Sequence, residues 1–311
     1  MFTRLSYVKL VAAVAVSIGL LLSPCAPAIA QTVDLSRAHA YYKADQYKPA
    51  FDGFQRGGDA GSAEAQHWLG LMYDRGHGVE RNQQVAYQWF AKAAEQGYAE
   101  AQRVVGVYLE GGIVVDQDFA AAAAWYRRAA NQGNAKAMRN LAQLYIQGRG
   151  VSQDYGMGAD LLRRAANKGN AKAMRNLGYL YYFGQGVRHS PSEASALFSA
   201  AAKAGLDNAK YNLGFVYYNG DGVVQDLPQA AYLFGQAGEA GNTSAQLMLA
   251  RMYLLGEGVE KDPAKAYYWA LLGAVHKPDL AAWYFDKLRG KLSLQQMDQI
   301  RAQSQNWHPK G

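Results

Sequence analysis

The chain has 311 residues, of which 50% are hydrophobic and 18% are charged. This apolar content is sufficient for a folded body and excludes disorder for the bulk of the chain. The formal net charge is +7, but the basic residues are dispersed, so nucleic acid is not expected as a partner.

Residues 1–30 have the pattern of a secretory signal peptide. The start is basic, residues 10–22 are an apolar run, and Ala28 and Ala30 occupy positions −3 and −1 of a cleavage site. The run is shorter than the roughly 20 residues that a membrane-spanning helix needs. We therefore expect cleavage after Ala30 and no membrane span in the mature chain. Cleavage removes two basic residues and leaves 30 basic against 25 acidic residues, a net charge of +5.

Cys25 is the only cysteine of the chain. Pro24 stands directly before it, where a lipoprotein site has a small residue, so lipidation at Cys25 is not predicted. A mature chain that begins after Ala30 has no cysteine and must be stable without disulfides. Export without disulfides favours a bacterial periplasm, with secretion as the other destination.

The rest of the chain is organised by a period of 36 residues. Four columns of identical residues recur six times at this spacing, and they start at Gly61, Ala65, Gly76 and Val79. Self-similarity of this length is the signature of a repeat architecture. It predicts a solenoid of stacked helix pairs, each depending on its neighbours to bury its apolar face.

One unit, 134–169, illustrates the predicted elements. Ala137 and Leu141 lie at helical spacing and predict a first helix, helix A, from 134 to about 147. Gly148 allows the positive φ that ends a helix. Asp154 then begins helix B, which is predicted to run to about 168.

Residues with a short polar side chain recur where the helices should begin, and such residues accept a hydrogen bond from a free backbone N–H. For helix B they are Asn82, Asp118, Asp154, Ser190, Asp226 and Asp262. For helix A they are Ser62, Asn134, Asn170 and Asn242.

The predicted domain organisation follows this period. A divergent helix pair at 31–61 precedes six repeats, and two closing helices at 278–311 follow them, with Ser293 and Gln296 forming a capping box. The six repeats cover 62–277 and comprise 62–97, 98–133, 134–169, 170–205, 206–241 and 242–277.

The repeat resembles the Sel-one-like repeat family. Its first copy carries nearly the whole motif in Ala63, Ala65, Leu69, Gly70, Tyr73, Gly76, Gly78, Val79, Ala86, Trp89, Phe90, Ala93, Ala94 and Gly97. Departures include Val114 in place of the second turn glycine and Gly238 in place of an alanine. The resemblance implies a right-handed α/α superhelix related to tetratricopeptide repeats. It also implies an adaptor or scaffold role in envelope, signalling or host-contact complexes.

Helix A is the candidate for the concave, partner-binding side, since exposed residues there form ladders at the repeat period. One ladder runs from Arg103 through Arg139 and Arg175 to Tyr211, and the adjacent one contains Asn140, Asn176 and Asn212. Arginine beside asparagine can hold a carboxylate or a peptide backbone, although a solvated polar face would look the same.

Aromatic residues on the same helices of the fourth and fifth repeats are candidate anchors for a partner, because they give large contact areas with little loss of entropy. They are Tyr179, Tyr182, Phe183, Phe215 and Tyr218. The alternative is that some belong to the core between repeats.

Nothing in the sequence predicts an enzyme, a metal site or a cofactor. Nucleophile elbows, zinc-binding helices and phosphate loops are absent from the sequence, and the histidines are scattered. The leading hypothesis is an exported, non-catalytic scaffold that binds a protein or peptide in its groove, with the partner and the oligomeric state left open. The alternative is an envelope enzyme or a binder of cell-wall glycan, polysaccharide or β-lactam.

Overall fold

The computed structural model describes residues 34–309. Within these residues the chain folds into sixteen α-helices and no β-strand. The predicted signal peptide, with Cys25 and the cleavage site after Ala30, lies outside the described residues. The all-α prediction is confirmed for the part of the chain that the structure describes.

The helices follow the predicted order. The A helices of the six repeats are α3 (Ala63–Arg75), α5 (Ala99–Gly111), α7 (Ala135–Gln147), α9 (Ala171–Phe183), α11 (Asp207–Asn219) and α13 (Thr243–Leu255). The B helices are α4 (Gln83–Glu95), α6 (Phe119–Asn131), α8 (Tyr155–Asn167), α10 (Pro191–Lys203), α12 (Leu227–Glu239) and α14 (Pro263–Ala274). The remaining helices are α1 (Ser36–Lys43), α2 (Tyr47–Asp59), α15 (Pro278–Leu288) and α16 (Leu294–Gln305).

Packing runs from neighbour to neighbour along the chain. Each helix from α2 to α15 packs against the helix before it, and α16 packs against α14. Contacts of this kind define a repeat solenoid, in which each unit touches only its neighbours. The predicted solenoid of helix-turn-helix repeats is therefore confirmed.

The helix starts are fixed by side-chain caps. Each of the six residues predicted to cap helix B accepts a hydrogen bond from the backbone N–H three positions later, at 2.8–3.4 Å. The four predicted caps of helix A do the same at 2.9–3.3 Å. Ser293 and Gln296 form the predicted capping box at the start of α16. These contacts account for the periodic polar residues without a role in catalysis.

The core is built from a small residue on helix A facing a large side chain on helix B. A Cβ added to Gly106 would lie 2.5 Å from the ring of Tyr126, and one added to Gly178 would lie 2.6 Å from the ring of Phe198. Both aromatic side chains are at most 2% exposed. The small residues of this column on helix A therefore leave the space that the aromatic ring of helix B in the same repeat fills.

In five of the six repeats, the second glycine of the turn after the A helix packs against the start of the preceding helix pair's second helix. Gly150 has φ +65°, and a Cβ at this position would lie 2.2 Å from the backbone carbon of Phe119, the first residue of α6. Only glycine allows this approach and this backbone conformation together. In the second repeat the position is Val114, with φ +56° and 40% of its surface exposed, so this turn is strained.

We expect Gly150→Ala to destabilise the fold far more than Gly169→Ala. Gly169 also has a positive φ, +82°, but a Cβ there would meet no atom within 4 Å. Gly169→Ala should therefore cost only the backbone strain, about 1 kcal/mol. Gly150→Ala adds a backbone clash and should cost about 3 kcal/mol or more. Urea unfolding monitored by circular dichroism measures both, and equal losses would contradict the proposed contact between repeats.

His67 is a buried polar residue in the A helix of the first repeat. Its side chain is 5% exposed, its Nδ1 has no hydrogen-bond partner, and its ring lies 5.5 Å from that of Phe90 and 5.1 Å from that of Tyr98. Burial lowers the pKa of His67 to about 4. The unfolded chain therefore binds a proton below pH 6.5 that the folded chain excludes.

This shift predicts a loss of stability as the pH falls from about 6.5 to about 4, amounting to about 3 kcal/mol. His67→Leu should remove that part of the pH dependence, because the corresponding residue of the sixth repeat, Leu247, is an apolar residue in the same setting. Unfolding free energies measured at several pH values between 4 and 7 test this. Parallel curves for the two proteins would contradict the assignment.

Candidate functional site

The A helices α5, α7 and α9 carry the predicted arginine ladder, and its first member is neutralised. In α5, Arg103 donates from Nε and Nη2 to Oε1 of Glu100 at 2.9 and 2.8 Å. Glu100 lies three residues earlier on the same helix and also accepts a hydrogen bond from Asn134 Nδ2 at 2.8 Å. Arg103 and Glu100 therefore form an ion pair within α5.

The next two arginines differ. Among the described residues, Arg139 and Arg175 form no ion pair. Nη2 of Arg139 donates to Asn140 Oδ1 at 2.7 Å, and Nη2 of Arg175 donates to Asn176 Oδ1 at 3.1 Å. Nε of Arg175 is buried without an acceptor. Both side chains are half-buried, so each is a partly desolvated cation held in place by the neighbouring asparagine.

Arg139 and Arg175 form no ion pair because of the residues in a second periodic column, which were not predicted as part of the site. The position of Glu100 is occupied by Lys136 in α7 and by Lys172 in α9. The acid that would pair with each arginine is thereby replaced by a second cation. The signal was available in the sequence, because the change from glutamate to lysine follows the same 36-residue period.

Three of these four cations, Lys136, Arg139 and Lys172, line one cavity, whereas Arg175 lies outside it. The cavity has a volume of about 300 Å³, and its walls also include Asn170 and Leu206. Burial, together with the charges of Arg103 and Arg175, lowers the pKa of Arg139. The arginines are close enough to repel one another, and an anion in this cavity would relieve that repulsion.

A second cavity lies between α9 and α11, with a volume of about 210 Å³. It is lined by Tyr179, Tyr182, Phe183, Phe198, Tyr211, Asn212, Phe215 and Val216. The structure therefore brings together six of the residues predicted as ladder members or anchors, namely Tyr179, Tyr182, Phe183, Tyr211, Asn212 and Phe215. Phe198 and Val216 were not predicted as site residues, because buried apolar residues at helical spacing are indistinguishable from core in a sequence.

Asn212 forms part of the wall of this aromatic cavity. It is 6% exposed, which differs from the exposed ladder position predicted for it. Its Oδ1 accepts a hydrogen bond from the Tyr179 hydroxyl at 2.7 Å, and its Nδ2 is buried without an acceptor. A buried donor without a partner costs about 1–3 kcal/mol, so this wall favours a ligand that supplies an oxygen.

The rim of the aromatic cavity is open to solvent. Phe183 is 62% exposed and Tyr179 is 38% exposed, with ring centroids 6.5 Å apart. Tyr182 contacts Phe183 edge to face and donates its hydroxyl to Asp221 Oδ2 at 2.5 Å. Burial and this carboxylate raise the pKa of Tyr182.

Tyr218 is a predicted site residue that does not line the aromatic cavity. Its hydroxyl donates to Glu257 Oε2 at 2.7 Å, and the guanidinium of Arg251 lies 5.9 Å from its ring centroid. Its ring also packs on Phe234, 6.4 Å away. Tyr218 thus contacts the next repeat through Glu257, as the equivalent Tyr182 does through Asp221.

Tyr211 connects the aromatic cavity to a third one of about 580 Å³. That cavity is formed by α11, α13 and α15 and by Lys277, and its walls include Met248, Arg251 and Trp283. The recessed surface on the A helices therefore extends from the fourth repeat to the first closing helix.

Among residues 34–309, no group of three or more histidine, cysteine, aspartate or glutamate side chains is arranged to hold a metal ion. In the same range, no helix combines the length and the apolar character needed to cross a membrane.

The Sel1 repeat model matches six consecutive segments, which are 63–98, 99–134, 135–170, 171–206, 207–242 and 243–274. The chain belongs to the Sel1 repeat family. Members of this family are generally non-catalytic, protein-binding scaffolds.

Two solved structures support this assignment. A Sel1 repeat protein from Oxalobacter formigenes is 33% identical, with a TM-score of 0.72, over 78% of this chain and 96% of that protein. The c5321 protective antigen of uropathogenic Escherichia coli, which displays an SLR fold, is 26% identical with a TM-score of 0.69. That match covers 82% of this chain but only 64% of the antigen. No curated protein sequence matched the chain.

Proposed function

We propose that this Sel1 repeat protein is an exported, non-catalytic scaffold that binds a protein or peptide partner on the surface formed by α7, α9 and α11. The main supporting observation is the pair Arg139 and Arg175, which are half-buried and form no ion pair among the described residues. Arg175 lies one helical turn before Tyr179, which lines a cavity with exposed aromatic residues at its rim.

The energetics support a surface that a partner completes. A partly desolvated cation without an anion is costly, and a bound carboxylate offsets that cost. Exposed aromatic residues such as Phe183 and Tyr179 are typical of the well-packed centre of a binding interface. Both features lie on A helices, α9 carries both of them, and a single partner segment could contact both.

The alternative of an envelope enzyme or a glycan, polysaccharide or β-lactam binder has weaker support. Catalysis on a glycan requires a pair of free carboxylates across a cleft. Asp118, Asp154, Asp226 and Asp262 each cap a helix, and Asp221 accepts a hydrogen bond from Tyr182. No contact among the described residues favours this function over binding of a protein.

Photocrosslinking tests the proposed surface. A photoreactive phenylalanine analogue at Phe183, on helix A, should give a specific crosslinked product in cells. The same analogue at Tyr232 is a matched control, because Tyr232 is 60% exposed but lies on a B helix. Mass spectrometry identifies the product. Equal crosslinking from both positions, or none from Phe183, would refute the surface.

Export is tested by the processed N-terminus. If the chain is cleaved after Ala30, mass spectrometry of the protein from a bacterial periplasmic extract should find Gln31 as the first residue. Cys25→Ser should leave processing and location unchanged, because this cysteine is removed with the signal peptide. A full-length cytoplasmic chain, or a lipid attached to Cys25, would show that the localisation prediction is wrong.

A further inference from the structure

We infer that the bound segment is an extended peptide with an acidic side chain two positions from a large apolar one. The acid would pair with Arg175, and the apolar side chain would enter the aromatic cavity at Tyr179 and Phe215. This inference rests on the proposed function and specifies its ligand.

The charge of the ligand follows from comparing successive repeats. In the second repeat, Glu100 neutralises Arg103 through two hydrogen bonds of 2.9 and 2.8 Å. The third and fourth repeats replace this acid with Lys136 and Lys172 and keep the arginine. The array thus already contains the geometry in which a carboxylate satisfies this arginine, and the ligand supplies the carboxylate that two repeats lack.

The unpaired donors indicate the rest of the ligand. Nε of Arg175 and Nδ2 of Asn212 are both buried without an acceptor. Peptides supply carbonyl oxygens at regular intervals along the chain, in addition to any carboxylate. A peptide can therefore satisfy an arginine and a neighbouring amide donor together, whereas a simple inorganic anion offers no apolar group to the aromatic cavity.

The size of the aromatic cavity favours one side chain over a whole small molecule. Its volume of about 210 Å³ is below the roughly 300–1,000 Å³ of typical ligand sites. Its walls are mostly aromatic and its rim is open. A single leucine, methionine or phenylalanine side chain on an extended peptide meets these conditions, with the peptide backbone remaining outside.

The spacing of the two groups follows from helix geometry. Arg175 and Tyr179 are four residues apart on α9, which is about 6 Å along the helix axis. An extended chain advances about 3.3 Å per residue, and its alternate side chains point to the same side. Two side chains of the ligand separated by one residue are about 6.6 Å apart and match the two positions.

The test is selection from a random library of 12-residue peptides, displayed with blocked C-termini, on the purified mature chain. Enriched peptides should carry Asp or Glu two positions from Phe, Leu, Met, Tyr or Trp. In the best of them, replacement of the acid by its amide should weaken binding at least about tenfold in fluorescence anisotropy.

Variants of the protein test the same contact between the peptide acid and Arg175. Lys172→Glu places an acid three residues before Arg175, as in the second repeat, so it should weaken binding of the selected peptide about tenfold without loss of stability. Arg175→Gln should act in the same direction. Arg164→Gln removes an equal charge from the exposed face of a B helix and should leave the affinity within about twofold.

Several results would overturn the inference. They are enrichment of peptides without acids, the absence of any enriched peptide, equal binding to Lys172→Glu, or displacement of the selected peptide by polygalacturonate at matched charge. Enrichment only from a parallel library with free C-termini would assign the anion to the chain terminus and overturn it as well. If any of these results is found together with a specific crosslink from Phe183, the proposed scaffold function is retained and only the proposed peptide ligand is rejected.

Discussion

The contact on which the architecture depends is the packing of the second turn glycine, in the five repeats that have it, against the first residues of the second helix of the preceding pair. At Gly150 the backbones of two repeats approach so closely that no side chain fits between them. Backbone contact of this kind is independent of side-chain identity, so it sets the same offset between repeats wherever it occurs. The side chains of successive A helices can then change freely while their columns remain in register.

The candidate site is a consequence of that register. Arg103, Arg139 and Arg175 occupy equivalent positions in successive repeats. The residue three positions earlier decides whether the arginine forms an ion pair within its own helix, as Arg103 does with Glu100, or forms none. In the next repeat the column continues as Tyr211, which lines two cavities. The chemistry of the surface therefore changes from basic to aromatic along the array, while the backbone stays the same.

The fold could be predicted from the sequence because its determinants are local and periodic. Caps such as Asp154 and turn glycines such as Gly148 act within a few residues, and their spacing gave the helix bounds to within about one residue. The site was less predictable. Tyr182 and Tyr218 are equivalent in sequence and each donates its hydroxyl to a carboxylate of the next repeat, yet only Tyr182 lines the aromatic cavity. The repeat period therefore does not distinguish a tyrosine that lines a cavity from one that does not.

Val114 makes the turn of the second repeat differ in stability from the turns of the other repeats. A branched side chain held at φ +56° stores about 1–2 kcal/mol at the turn of the second repeat. Stability in a solenoid is the sum of terms from each unit and each junction. The segment before this turn is thus joined to the rest less firmly than the repeats that follow. Fraying should start there, and the helices that carry the arginines would keep their shape after the first repeat has opened.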